Sequence, residues 1–201
     1  VFNLQSVLSL PLQLDSSNTQ ALEKAMRMYN GKAMINSVNG KQSSMSEVFP
    51  LVQKYGGVVV CLCLDESGIP ETAQGRIDIA KKIIKTAESY GIDKKDLVVD
   101  ALVMTISTNK DNAKETLKAV DYIRHELGVG TVLGVSNISF GLPKREAINT
   151  AFFTLALKAG LSAGIINPLS ESMMNAYYSY NALEGFDDNC TQYIESVTAS
   201  A

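Results

Sequence analysis

The feature that most constrains this chain is a regular alternation: short runs rich in Val, Ile and Leu are each followed by a longer segment whose apolar residues recur every three or four positions. Period-two runs and 3.6-period segments in succession are the pattern of a parallel sheet with helical crossovers. The runs predict strands over 10–15, 33–37, 58–65, 97–103, 131–137 and 163–167, and helices over 18–29, 44–55, 71–90, 111–127, 143–159 and 170–183. That makes six βα units. No Pro-, Ser- or Gly-rich stretch of linker length interrupts them, so 1–201 reads as one domain.

The boundaries carry their own chemistry. Ser17 or Asn18 can cap the first helix, Pro70 sits at a helix start, and Gly91, Gly128 and Gly160 follow helix ends. Ala80, Ile83, Ile84 and Ala87 form an apolar stripe that leaves Lys81, Lys82 and Lys85 on a solvated face rather than in a binding patch.

Composition excludes several classes. The 18 Lys and Arg against 21 Asp and Glu lack the basic excess that nucleic-acid or anionic-membrane binding needs, so neither is an expected partner. The longest apolar run, 58–64, is bracketed by Gly57 and Asp65 and falls far short of the roughly 20 residues of a membrane span. The three cysteines, Cys61, Cys63 and Cys190, form no CxxC pair, which points to a reducing, cytoplasmic setting and to Cys61 and Cys63 as small packing residues. A single histidine, His125, rules out a histidine-rich metal centre and suits a solvated or capping role.

Two α/β architectures fit the alternation, an open doubly wound sheet and a (β/α)8 barrel, and six strands by themselves favour the open sheet. Dinucleotide binding finds no support. The only glycine cluster, Gly128-Val129-Gly130 with Gly134, lacks GxGxxG spacing and precedes a strand, and no GxxxxGK[ST] sequence occurs.

An acid or amide stands at or near the carboxyl end of every expected strand: Asp15, Asn36, Asp65, Asp100, Asn137 and Asn167. In a closed barrel these ends surround one mouth, where active sites are built. Asp65, ahead of Glu-Ser-Gly-Ile-Pro, and Asn167, ahead of Pro168, equally suit local turn formation, whereas Asp100 interrupts an apolar run that continues through Ala101-Leu102-Val103. A set without a paired lysine or histidine serves Schiff-base or metal chemistry poorly and matches a heterocycle rich in N–H donors.

At these residues the sequence resembles the pterin-binding methyltransferase family, which comprises the methyltetrahydrofolate domain of cobalamin-dependent methionine synthase and the methyltetrahydrofolate:corrinoid protein methyltransferases. The resemblance rests on blocks in one order: Pro11-Leu12-Gln13-Leu14-Asp15-Ser16-Ser17-Asn18, Ile35-Asn36-Ser37-Val38-Asn39-Gly40, Cys63-Leu64-Asp65-Glu66-Ser67-Gly68-Ile69-Pro70, Asp100-Ala101-Leu102-Val103, and Gly134-Val135-Ser136-Asn137-Ile138-Ser139-Phe140-Gly141-Leu142-Pro143 followed by Arg145. It implies a TIM (β/α)8 barrel of the dihydropteroate synthase-like type, with the six units as its third to eighth and the first two absent. On that reading the N-terminus of the domain is incomplete, in keeping with a first residue, Val1, that is not methionine.

The same resemblance implies that Asp15, Asn36 and Asp100 hydrogen-bond the pterin, that Asn137 reaches N5 and is the catalytic residue, and that Asp65, Arg145 and Asn167 complete the pterin set. It implies 5-methyltetrahydrofolate as methyl donor, cobalamin carried by a partner domain or protein, and a homodimer. No Asp-x-His-x-x-Gly corrinoid motif occurs in the chain. A dihydropteroate synthase-like enzyme, which uses a lysine where this chain has Asn137, and a catalytically silent pterin-binding module are the competing readings.

Overall fold

Among the described residues six strands form one parallel sheet in the order of the chain: β1 (Gln13–Asp15), β2 (Met34–Asn39), β3 (Val58–Leu62), β4 (Leu97–Asp100), β5 (Gly130–Gly134) and β6 (Ala163–Ile165). The computed structural model describes residues 1–198. Between and around the strands lie α1 (Phe2–Gln5), α2 (Thr19–Met28), α3 (Gln42–Tyr55), α4 (Ala73–Ser89), α5 (Asn112–His125), α6 (Arg145–Lys158), α7 (Glu171–Leu183) and α8 (Thr191–Thr198).

Strand order decides between the two architectures. A doubly wound sheet reverses its order at a switch point and so carries helices on both faces. Here the order never reverses, and right-handed crossovers that all step in one direction put the helices on one face. The result is a curled half-barrel, in which β1 pairs with β2 and β6 with β5. The preference for an open sheet drawn from strand count is therefore corrected, and the barrel type implied by the resemblance stands.

Alternation along each strand separates the two faces. Leu14, Ile35, Val59, Cys61, Leu97, Val99 and Leu133 are buried in one cluster with Leu22, Phe49, Ile83, Ile123 and Phe152 from the helices. Each fully buried Leu, Ile or Val contributes about 1.5–3 kcal/mol, so this layer is the main source of stability. The alternate residues face the concave side. Val60 and Val132 are buried there but stand outside the helix-packed cluster, and exposure rises toward both edges, where Ile165 of β6 is 52% exposed.

The ends of the elements differ from the sequence expectation in informative ways. β4 stops at Asp100 rather than at 103, and β5 stops at Gly134, with residues Val135–Ser139 forming a 3-10 turn instead of more strand. Pro70 lies outside α4: the helix starts at Ala73, capped by Thr72, whose Oγ1 accepts from Gly75 N at 3.2 Å. Asn18 caps α2, accepting from Ala21 N at 3.0 Å. Gly160, expected after a helix end, has φ of 95°, and a Cβ there would lie 2.7 Å from Arg124 Cγ. Helices α1 and α8 have no counterpart in the sequence reading. Lys81, Lys82 and Lys85 are exposed, as the stripe predicts.

Candidate functional site

Register places the strand-end polar groups on one wall. Asp15 pairs with Asn36, and Asn36 with Val60. Leu62 pairs with Asp100, and Asp100 with Val132. Level residues on neighbouring parallel strands point to the same side, so Asp15, Asn36 and Asp100 share the concave face with Val60 and Val132, at the carboxyl rim. Asn36 Nδ2 donates to Asp15 Oδ2 at 3.3 Å, and both residues line a cleft of about 360 Å³ with Ser16, Ser37 and Lys41. A register shift between Asn36 and Val38 lifts Ser37 out of the ladder at this point.

Asp100 is 9% exposed. Its Oδ1 accepts from Leu102 N at 2.8 Å, which turns the chain and ends β4; Leu102 accordingly has φ of 61°. The apolar run through Val103 is therefore not strand, because the carboxylate captures the backbone that a further ladder bond would need. Oδ2 makes no hydrogen bond, and the only sealed, unpartnered side-chain nitrogen or oxygen among the described residues is Arg76 Nη2, so Oδ2 keeps access to solvent. Burial pushes the Asp100 carboxyl up to about 6, against the opposing pull of the Leu102 N–H and the Arg76 charge.

Asn137 stands on the 3-10 turn after β5 and is exposed. Gly134 makes room for it, since a Cβ there would lie 3.1 Å from Asn137 Nδ2. The turn is laced to the loop that follows Asp100: Ile106 N donates to Ile138 O at 3.0 Å, and Thr105 Oγ1 to Phe140 O at 2.7 Å. Arg145 grips it from below, with Nη2 on Ser136 O at 2.7 Å and Nε on Ser139 Oγ at 3.0 Å, while Ser139 donates to Asn149 Oδ1 at 2.7 Å. Arg145 is thus bonded to the turn that carries Asn137.

The two remaining acids and amides make local bonds. Asp65 Oδ1 accepts from Ser67 N at 2.8 Å within a tight turn, and the residue lines a separate groove with Ile69 and Pro70 against α4. Asn167 Oδ1 accepts from Leu169 N at 3.0 Å, and Asn167 shares a cleft with Arg145 and Ser136 near β6. The structure therefore groups Asp15 with Asn36, joins the Asp100 loop to the Asn137 turn, and leaves Asp65 in a groove of its own.

One residue of this neighbourhood escaped the sequence reading. Arg76 is 0% exposed, with Nε on Pro70 O at 2.9 Å and Nη1 on Leu102 O at 3.0 Å and Thr116 Oγ1 at 2.7 Å. Its signal was present: Arg76 falls on the apolar stripe of α4 between Ala73 and Ile77, where a charged residue has no solvated face.

A family model described as pterin binding enzyme matches residues 1–167. The chain belongs to the pterin-binding enzyme family. The resemblance to pterin-binding methyltransferases is borne out by relatives of that kind. The methylcorrinoid:tetrahydrofolate methyltransferase of Eubacterium limosum is 28% identical over 195 residues, which cover 94% of this chain and 71% of that protein. The methionine synthase of Mycobacterium tuberculosis is 34% identical over 181 residues, covering 83% of this chain and 15% of that protein. Among solved structures, dihydropteroate synthases from Clostridium difficile and Xanthomonas albilineans superpose with TM-scores of 0.68 and 0.67 at 20% and 19% identity, each over 90% of this chain and 70% of theirs. At that identity the superposition speaks for the pterin enzymes' fold and for nothing finer.

Proposed function

We propose that this chain binds 5-methyltetrahydrofolate on its concave rim and passes the N5-methyl group to cob(I)alamin held by a separate corrinoid domain or protein. The observation that carries the reading is the shared face of Asp15, Asn36 and Asp100, set by strand register. Asn36 and Asp100 lie two strand spacings apart and two residues out of level, about 12 Å, a gap that a flat bicyclic ring with a hydrogen bond at each end can bridge. The 2-amino and ring N–H groups of a pterin form a donor edge that a carboxylate accepts in parallel, and the free Oδ2 of Asp100 suits that edge.

A methyl group on a tertiary amine leaves poorly unless the nitrogen is protonated. The Asn137 amide can donate to unprotonated N5 and, after rotation, accept from its protonated form, so it stabilises the charge that develops there without titrating itself. Arg145 serves this step through the turn it grips. A reduced corrinoid supplies the cobalt nucleophile. The chain's one histidine, His125, ends α5 and pairs with Asp121 at 2.9 Å, so it is not placed at the rim as a cobalt ligand. The relatives named above support the methyltransferase branch, and the amide at 137 in place of a lysine separates the chain from the synthase reading.

In the same reading the six βα units are the third to eighth of a barrel, Asn167 borders the pterin pocket beside Arg145, Asp65 serves it from outside by holding the turn after β3, the partner carries the corrinoid, and the chain pairs as a homodimer. The deciding experiment is binding of 5-methyltetrahydrofolate followed by loss of cob(I)alamin absorbance on mixing. Binding without that loss identifies a silent pterin-binding module. Condensation of a dihydropterin pyrophosphate with p-aminobenzoate, without methyl transfer, identifies a synthase.

A further inference from the structure

Arg76 is a fully buried cation whose place packing does not explain. It occupies a stripe position of α4 that Leu or Met would fill at lower cost, because a guanidinium is always charged and loses its hydration on burial. Its hydrogen bonds go to backbone carbonyls of two loops, Pro70 O and Leu102 O, and to Thr116 Oγ1, which in turn donates to Asn112 O at 2.9 Å. Among the described residues no carboxylate is bonded to it, and Nη2 has no hydrogen-bond partner.

The Leu102 bond is the informative one. Leu102 holds a left-handed conformation, φ 61°, which a side chain bearing a Cβ adopts only when its surroundings impose it. Arg76 fixes the carbonyl of that residue, and the N–H of the same residue fixes Asp100 Oδ1. The route from Arg76 to the carboxylate is therefore one residue long. The other ionisable groups near this cation are Cys63, whose thiol burial pushes far up and keeps neutral, and Glu115, which accepts from Ala73 N at 2.8 Å, pairs with Lys118 and is held below the usual carboxylate range.

We propose that Arg76 is a positioning residue for Asp100: its buried guanidinium holds the left-handed turn that aims the Leu102 N–H at the carboxylate, and its charge keeps that carboxylate an acceptor for a ligand's N–H donors. The ligand half rests on the proposed function. The link between Arg76 and Asp100 does not. A neutral side chain at 76 would leave Asp100 buried with its opposing field removed, so the acid would take up a proton nearer neutral pH and lose its use as a double acceptor.

The test uses the full chain in three forms: wild type, Arg76→Gln and Arg76→Lys. The Asp100 carboxyl carbon is titrated by NMR, and the dissociation constant for 5-methyltetrahydrofolate is measured across pH. Arg76→Gln is expected to raise the Asp100 midpoint by about one pH unit and to weaken binding at pH 6 by about tenfold. Arg76→Lys, which keeps the charge but cannot span Pro70 and Leu102 with a planar fork, should hold the midpoint and weaken binding about threefold at pH 8, where Asp100 is ionised in every form.

A folded Arg76→Gln with wild-type midpoint and affinity, and only a lowered melting temperature, would overturn the proposal. If Arg76→Gln does not fold, a folded Arg76→Lys with wild-type affinity overturns it equally. Should the wild type bind no 5-methyltetrahydrofolate at any pH, the proposed function fails, while the Asp100 midpoints still decide the link.

Discussion

Asn36 and Asp15 are bonded side chain to side chain, Nδ2 to Oδ2 at 3.3 Å, across the carboxyl ends of β2 and β1. The bond settles which end of the Asn36 amide faces the acid, and so leaves its carbonyl oxygen turned away from Asp15. Asp15→Ala should free that amide to rotate and weaken binding of 5-methyltetrahydrofolate by about tenfold. Both side chains are at least partly exposed, so stability should change by less than about 0.5 kcal/mol. Calorimetric titration beside urea denaturation reads both, and a large stability loss with unchanged affinity would contradict the assignment.

Asp100 predicts a pH effect on stability with a definite sign. Its carboxyl is raised from 3.8 to about 6 on folding, so between these values the folded state binds more protons than the unfolded one. Stability from this group is fully present below the unfolded value and is lost as pH rises through the folded value. Asp100→Asn removes the loss. The variant should therefore gain on wild type between pH 4 and pH 6, by an amount on the order of 3 kcal/mol, and hold a constant margin above. Denaturation series at several pH values check it; parallel profiles for the two proteins would refute the buried, ionised state.

Binding and transfer should separate by residue. Asn137→Ala is expected to slow methyl transfer by about 100-fold while changing pterin affinity by less than about threefold, since its amide acts on charge that appears only along the reaction path. Asp100→Asn should weaken binding by about tenfold or more through loss of a charge-assisted acceptor. Single-turnover transfer with measured dissociation constants distinguishes the two, and equal losses of rate and affinity in both variants would falsify the division.

The three thiols should react in two classes. Cys61 and Cys63 are 0% exposed, and burial pushes the Cys61 thiol up to about 12 and that of Cys63 further still. Cys190 is exposed. An aromatic disulfide reagent at pH 8 should titrate Cys190 alone in the native protein and all three cysteines after denaturation. Rapid native labelling of Cys61 or Cys63 would show that the layer between sheet and helices opens.

Much of the scaffold was legible because it depends on local periodicity. The stripe at Ala80, Ile83, Ile84 and Ala87 and the cap at Asn18 are written in neighbouring residues, and both appear as read. The strand ends were not legible. Val103 and Asn137 read as strand because their runs are apolar, yet a side-chain bond from Asp100 and the grip of Arg145 on Ser136 and Ser139 end the ladders earlier. Asp65 and Asn167 hold turns as their neighbours Ser67 and Leu169 allow, which the sequence left open.

By itself the sequence determined the alternation, the all-parallel class and the family, since each rests on residue types at fixed spacing along the chain. Only the tertiary structure decided that the sheet curls with its helices on one side, that Asp15, Asn36 and Asp100 share the open face, and that Arg76 reaches Leu102. Those relations depend on which strands pair and in what register, and register is set by long-range burial rather than by any local run of residues.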